Sequence, residues 1–125
     1  MYILEECREL FEEKLKSFSF VRKPEQLYNP IKYILSAGGK RFRPSLLLLI
    51  HSIYDKLNDD AFESAMAVET FHNFTLIHDD IMDNAVLRRN AETVHKKWDI
   101  NTGILSGDAM LILAYRFISS TSDYI

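Results

Sequence analysis

Apolar residues recur along this chain at intervals of three and four, the spacing of helices rather than strands. Ile3, Leu4, Cys7, Leu10, Phe11, Leu15 and Phe18 form one stripe, with Glu and Lys filling the other face, which predicts an amphipathic helix over 3–18. Within it Glu12 and Lys16 stand four apart in the orientation that favours a surface pair. Pro24 opens a second helical segment through Leu27, Ile31, Ile34 and Leu35, and Pro30 is expected to kink it or delay its start. Gly38-Gly39 ends that segment, because glycine accepts the positive φ that follows a last helical turn. Pro44 suits a first helical position, and Ser45 to Leu57 reads as a helix apolar almost all round. Such a helix is expected at the centre of a bundle. After Asn58-Asp59-Asp60 comes a long helix from Ala61 to about Asp83, with Asp59, Asp60 and Glu63 serving its cap and first turn. Asn84 to Ala91 is polar and without period, hence a loop; Thr93 to Trp98 adds a short helical turn. Asn101 or Thr102 is the expected cap of a last helix reaching about Ile118. The expected fold is all-α, a layered helical bundle, with no repeat or linker dividing residues 1–125.

Composition narrows the function classes. Apolar residues make up 47% and charged residues 26% of the 125 residues, ordinary values for a globular protein. A net charge of −3 gives no general attraction to nucleic acid or to anionic membranes. Anion binding must therefore come from local clusters of Lys and Arg. Cys7 is the only cysteine, so neither an internal disulfide nor a thiolate zinc site is supported. The acidic N-terminus does not resemble a signal peptide. The most apolar run, Leu46 to Ile50, is far short of the ~20 residues that span a bilayer. A cytoplasmic protein is the expectation.

Three clusters carry chemistry. In His78-Asp79-Asp80-Ile81-Met82-Asp83, Asp79 and Asp83 lie four apart on one helix face, about one turn or ~6 Å from each other. Two such carboxylates repel unless a cation lies between them, and they sit at the helix end where the macrodipole already disfavours negative charge. Magnesium suits the pair, since it takes hard oxygen ligands and is commonly held by one or two carboxylates plus substrate phosphates. Asp80 is turned roughly 100° away and is expected to support rather than bind. The second cluster, Gly38-Gly39-Lys40-Arg41-Phe42-Arg43-Pro44, puts three cations between a glycine break and a helix start, a compact anion receptor. The third is Arg88-Arg89, where neighbouring loop arginines can address two different anions.

These motifs stand in a telling order. Gly39-Lys40 with Arg43-Pro44, then Glu69, His72 and His78-Asp79-Asp80-Ile81-Met82-Asp83, then Arg88-Arg89 and Ser106-Gly107-Asp108, resemble the trans-isoprenyl diphosphate synthases, or polyprenyl synthetases, of the short-chain type. The resemblance implies the N-terminal part of the isoprenoid synthase fold and an isoprenoid-building transferase. An allylic diphosphate loses diphosphate, the double bond of isopentenyl diphosphate attacks the carbocation, and a proton leaves. It further implies that Asp79 and Asp83 bind Mg2+ and that Asp79, Asp83, Lys40 and Arg88 are the catalytic residues. Gly39, Lys40, Arg43, His72 and Arg89 would bind isopentenyl diphosphate, and Arg88 the allylic diphosphate. Phe74 and Thr75, five and four residues before Asp79, would limit the growing hydrocarbon chain, and the bulk of Phe74 suggests a farnesyl or geranylgeranyl product. No residue is inserted between Asp79 and Asp83, unlike many bacterial farnesyl diphosphate synthases, which leaves the choice between the two products open.

The family's second aspartate-rich motif has no counterpart after Asp108. The chain is therefore expected to be an incomplete domain, inactive alone. An apolar final helix implies a homodimer or association with a missing C-terminal portion. Two other readings remain at this point. His78-Asp79 also matches HD-type phosphohydrolases, with His51 or His72 as further ligands, and a non-catalytic helical regulatory subunit needs no metal at all.

Overall fold

The computed structural model describes residues 1–20 and 22–122. Its elements are α1 (Leu4–Ser17), α2 (Glu25–Ser36), α3 (Phe42–Tyr54), α4 (Asp59–Met82), β1 (Leu87–Arg88), β2 (Ala91–Glu92), α5 (Val94–Lys97) and α6 (Ile100–Ser119). Among the described residues no helix is long and apolar enough to cross a membrane. The packing divides into two units, each with its own core.

The first unit joins α1, α3, the first half of α4 and the end of α6. α1 buries Cys7, Phe11 and Leu15, every fourth residue of the predicted stripe, and packs on α3. Burial raises the Cys7 thiol pKa, with the charge of Glu6 adding to it, so the thiol is no ready nucleophile. α3 starts two residues earlier than Pro44. Arg41 takes the left-handed conformation at φ 52° as its cap, and Pro44 sits third in the helix, still within the first turn where a missing N–H costs nothing. The expectation of all-round burial fails here. α3 buries Pro44, Ser45 and Leu48 along one stripe, while Ile53 and Tyr54 are 63% and 84% exposed. α1 packs on α3, and the stripe that α3 buries is narrower than its apolar surface. Asn58 Oδ1 caps α4 by accepting from the Ala61 amide at 2.9 Å. Asp59 and Asp60 occupy the first turn, where the dipole favours them, and Asp60 also accepts from the Ser122 amide at 3.2 Å. This acidic group has the structural role expected of it.

The second unit holds α2, the second half of α4, the segment from β1 to α5 and the start of α6. α2 begins directly after Pro24 and runs through the buried Pro30, so the start is not delayed. The amide that Pro30 lacks would have served the carbonyl of Gln26, an exposed residue of the first turn that water can reach. Gly38 and Gly39 follow at φ +86° and +145°, conformations that L side chains adopt with strain. In the second half of α4, Thr70, Asn73, Ile77 and Asp80 are buried along one face. α6 meets this helix through glycines four apart. A Cβ on Gly103 would stand 2.9 Å from Ile81 Cδ1, and one on Gly107 would overlap the His78 ring. Ser106 Oγ donates to the Leu27 carbonyl at 2.8 Å, tying α6 to α2. The cap of α6 is Asp99, not Asn101 or Thr102: its Oδ1 accepts from the Thr102 amide at 2.7 Å.

The segment expected to be a loop is a hairpin. β1 and β2 pair antiparallel, Leu87 with Glu92 and Arg88 with Ala91. Arg89 and Asn90 turn between them at φ 52° and 64°, positive at both central positions as in the primed turns that match strand twist. Two-residue strands carry no readable alternation, and arginine is not a residue that announces such a turn.

Candidate active site

The acidic cluster lies where α4 stops. The helix closes with the Asn84 amide donating to the Ile81 carbonyl at 3.2 Å and the Ala85 amide to the Asp80 carbonyl at 2.9 Å. Asn84 holds the left-handed position at φ 54°. This is the paired closure that usually requires glycine and that asparagine tolerates. Asp83 thus occupies the C-terminal cap, and its amide donates to the Asp79 carbonyl at 2.8 Å. Asp79 and Asp83 are both exposed, and neither forms an ion pair among the described residues.

Asp80 differs. It is 5% exposed and accepts two hydrogen bonds from Arg88, from Nε at 2.8 Å and Nη2 at 2.7 Å. The planar fork matches a carboxylate in this way. The pKa of Arg88 is raised by its hydrogen bonds to Asp80, against the effect of partial burial, and the charges of Asp80 and Asp79 add to it. The supporting role expected of Asp80 therefore takes a concrete form: it anchors the first hairpin arginine beside Asp79. One turn residue on, Arg89 reaches back to the end of α2. Its Nη1 donates to the Gly38 carbonyl at 2.5 Å, and its guanidinium occupies the space a Cβ on Gly39 would need, with Cζ 3.0 Å from that point. The φ of Gly39 favours glycine, and a Cβ there would make the Arg89 guanidinium give way by a few tenths of an ångström. Tyr33, Ile34, Ala37, Asp80, Arg88 and Arg89 help line a cavity of about 20 Å³, room for about one water and not for a substrate.

Further along α4, His72 is half-buried and shares a face with Asp79 seven residues on. Thr75 Oγ1 donates to the His72 carbonyl at 2.6 Å. Phe74 packs against Phe71 at 5.5 Å and edge-on against His78 at 4.8 Å between ring centroids. His78 Nε2 lies 3.1 Å from the Ile104 carbonyl and 3.8 Å from Asp108 Oδ1. That gives His78 a packing role and gives Gly107 and Asp108 a reason to stand where they do. His51, the other histidine considered as a metal ligand, faces the Lys56 carbonyl at 3.0 Å. Among the described residues no three His, Cys, Asp or Glu side chains gather as a metal cage.

Lys40 and Arg43 belong to the first unit, and both are exposed. Arg41 does not join them. It is 3% exposed, donating from Nε to Glu12 at 2.7 Å and from Nη1 to Glu69 at 2.8 Å. The run of three cations is thus two outward cations around one internal ion pair. Glu12 takes this partner rather than Lys16, because a buried guanidinium left without carboxylates is far more costly than a lost surface pair.

Sequence reasoning missed Tyr33. Its hydroxyl donates to the Glu92 carbonyl of β2 at 2.7 Å, across 59 residues. The one available signal was a polar-tipped aromatic ring near the end of the helix that delivers the glycines. His95 is 7% exposed, with both ring nitrogens unpartnered among the described residues.

Comparison with known proteins fits this arrangement. The family model for polyprenyl synthetase matches residues 24–125. The chain belongs to the polyprenyl synthetase family. Among relatives of this family, a geranylgeranyl pyrophosphate synthase of Geoglobus acetivorans is 40% identical over 117 residues, covering 94% of this chain and 37% of that protein. A solved geranylgeranyl pyrophosphate synthase is similar with a TM-score of 0.91 and 55% identity, over 98% of this chain and 38% of that one. A heptaprenyl diphosphate synthase of Staphylococcus aureus is similar with a TM-score of 0.87 and 31% identity, over 98% of this chain and 39% of that one. The polyprenyl synthetase likeness thus covers nearly the whole chain, while the chain spans under two-fifths of these relatives. The all-helical isoprenoid synthase fold follows from it.

Proposed function

We propose that this chain is the first-aspartate half of a prenyltransferase that condenses isopentenyl diphosphate with an allylic diphosphate to a short-chain product, farnesyl or geranylgeranyl diphosphate. In this reading residues 1–125 are the N-terminal part of one isoprenoid synthase domain and are inactive alone. The observation that carries it is the division of labour at the end of α4: Asp80 is neutralised by Arg88, while Asp79 and Asp83 stay exposed and unpaired.

Asp79 and Asp83 would hold Mg2+ together with phosphate oxygens of the allylic substrate, since two carboxylates are too few for a cage and sufficient for a shared ion. The ion supplies charge stabilisation to the departing diphosphate. Arg88, fixed by Asp80 and next to Asp79, presents cationic charge to the same diphosphate. For isopentenyl diphosphate, Arg89 and His72 offer donors and Gly39 permits close approach; Lys40 and Arg43 carry the same role by resemblance. Phe74, in ring contact with Phe71 and His78, and Thr75 would limit the lengthening hydrocarbon. Exposed Leu105, Ile112 and Tyr115 on α6 suit cover by a second copy or by further residues of the same protein.

The test is an isopentenyl diphosphate incorporation assay on the natural full-length protein, with the product sized. A C15 or C20 product that depends on Mg2+ and is lost in Asp83→Ala supports the reading. Metal binding that survives Asp83→Ala but disappears in His78→Ala would favour the phosphohydrolase class instead.

A further inference from the structure

Phe74 has a ring on each side of it along α4. Phe71 lies about one turn before it, with centroids 5.5 Å apart, and His78 one turn after, edge-on at 4.8 Å. Side chains on a helix lean toward its N-terminus, onto the residues three and four before them. The imidazole of His78 therefore lies over Phe74, on the side nearer the aspartates. The two flanking rings are not equivalent. Phe71 is 47% exposed, so it has room to swing away. Behind His78 stands α6. A Cβ on Gly107 would overlap the imidazole, so the ring lies directly on bare helix backbone. Its Nε2 is 3.1 Å from the Ile104 carbonyl, and because a carbonyl only accepts, Nε2 is the donor. Asp108 Oδ1 stands 3.8 Å from the same nitrogen. The imidazole is thus fixed from a second helix. Phe74 abuts a braced neighbour on one side and a yielding one on the other.

We infer that His78 is a positioning residue for product length: braced by α6, it keeps the Phe74 ring across the path of the lengthening hydrocarbon. The inference rests on the chain-limiting role proposed above for Phe74 and adds the group that makes Phe74 a fixed stop. A ring limits a chain only while it cannot turn aside, and side chains with open space beside them change rotamer freely. Without the imidazole, Phe74 can rotate into the gap left between α4 and α6, which deepens the floor of the pocket. Glycine at 107 then serves specificity as well as packing, because it lets the imidazole seat against α6.

The experiment sizes the products of the natural full-length protein and of its His78→Ala, His78→Asn, Phe74→Ala and Phe74→Ala/His78→Ala variants, with steady-state kinetics and thermal unfolding alongside. His78→Ala is expected to raise the fraction of product longer than the wild type's about two- to tenfold, the weight of one edge-on ring contact. The KM values for both diphosphates stay within about twofold. His78→Asn keeps an amide donor for α6 but no ring. It is expected to lengthen the product too, so the result does not depend on the alanine variant folding. In the Phe74→Ala background, His78→Ala is expected to add nothing, because the residue it acts through is gone. Unchanged product length in both His78 variants, with Phe74→Ala lengthening it, would overturn the inference. So would a double variant that sums the two single effects, or a fall in kcat without any change in length, since either marks a role apart from Phe74. If Phe74→Ala itself leaves the length unchanged, the reading of Phe74 as a stop fails, and that outcome is distinct from a silent His78→Ala.

Discussion

Arg41 and Arg88 each meet carboxylates through two hydrogen bonds of 2.7 to 2.8 Å, yet their surroundings differ in kind. Around Arg41 the account closes: its side chain is 1% exposed and bridges Glu12 and Glu69, at 27% and 5%. Around Arg88 it stays open. Asp80 is used up at 7% exposure, but Arg88 keeps 31%, and Asp79 and Asp83 at the same helix end form no ion pair among the described residues. A chain that can pair a buried carboxylate as neatly as Glu69 leaves two others exposed one turn apart. Enclosed and balanced charge holds a fold; exposed and unbalanced charge is available to a ligand.

Breaking the closed side should give the largest effect. Arg41→Met leaves Glu12 and Glu69 without their cation, and removal of one member of a buried pair costs about 3–5 kcal/mol; urea unfolding should show it. Burial alone would lower the Arg41 pKa, but its bonds to Glu12 and Glu69 raise it above the ordinary arginine value. The stabilisation from a raised pKa is complete below the unfolded value and lost only as pH rises through the folded one. From the arginine's side, then, the loss in Arg41→Met should be flat across neutral pH.

On the open side the effects should fall on activity instead. Asp83→Asn is expected to lower kcat/KM about a thousandfold, corresponding to several kcal/mol of lost charge stabilisation, while the urea midpoint barely moves. An equal loss of stability would erase the contrast with Arg41. Gly39→Ala is expected to be smaller, about tenfold in the KM for isopentenyl diphosphate, because the new Cβ must displace the Arg89 guanidinium and sits on a strained φ; substrate titrations check it. Least of all is Asp99→Ala. Its pKa is lowered by hydrogen bonds from the Thr102 amide and side chain, so its capping contribution is present above the usual carboxylate pKa and lost as pH falls through the depressed value. Faster exchange of the Thr102 amide at neutral pH, with the difference from wild type vanishing in acid, is the expected signature.

The same contrast explains what the sequence could and could not reveal. The stripe of α1, the glycine stop of α2 and the span of α4 were legible because period and punctuation are local. The placement of Asp79 and Asp83 one turn apart at the end of α4 was legible for the same reason, since the Asp83 amide still closes on the Asp79 carbonyl. Arg41 was not. Read in a row with Lys40 and Arg43 it counted as a third outward cation, and only its left-handed backbone and two distant glutamates turn it inward. The hairpin escaped notice because two-residue strands have no period. With it went the means by which Arg88 and Arg89 are held, and the Tyr33 hydroxyl bond that spans 59 residues. The burial expected of α3 failed because an apolar helix states only that something covers it, not that the cover lies within these residues.

The most direct test of the open-site claim is calorimetric titration of the natural full-length protein with inorganic diphosphate, with and without Mg2+. The Asp79→Asn/Asp83→Asn double variant is measured beside it. The predicted result is Mg2+-dependent binding that weakens at least about tenfold, or 1.4 kcal/mol, in the double variant. Binding of equal strength in the two proteins would contradict it.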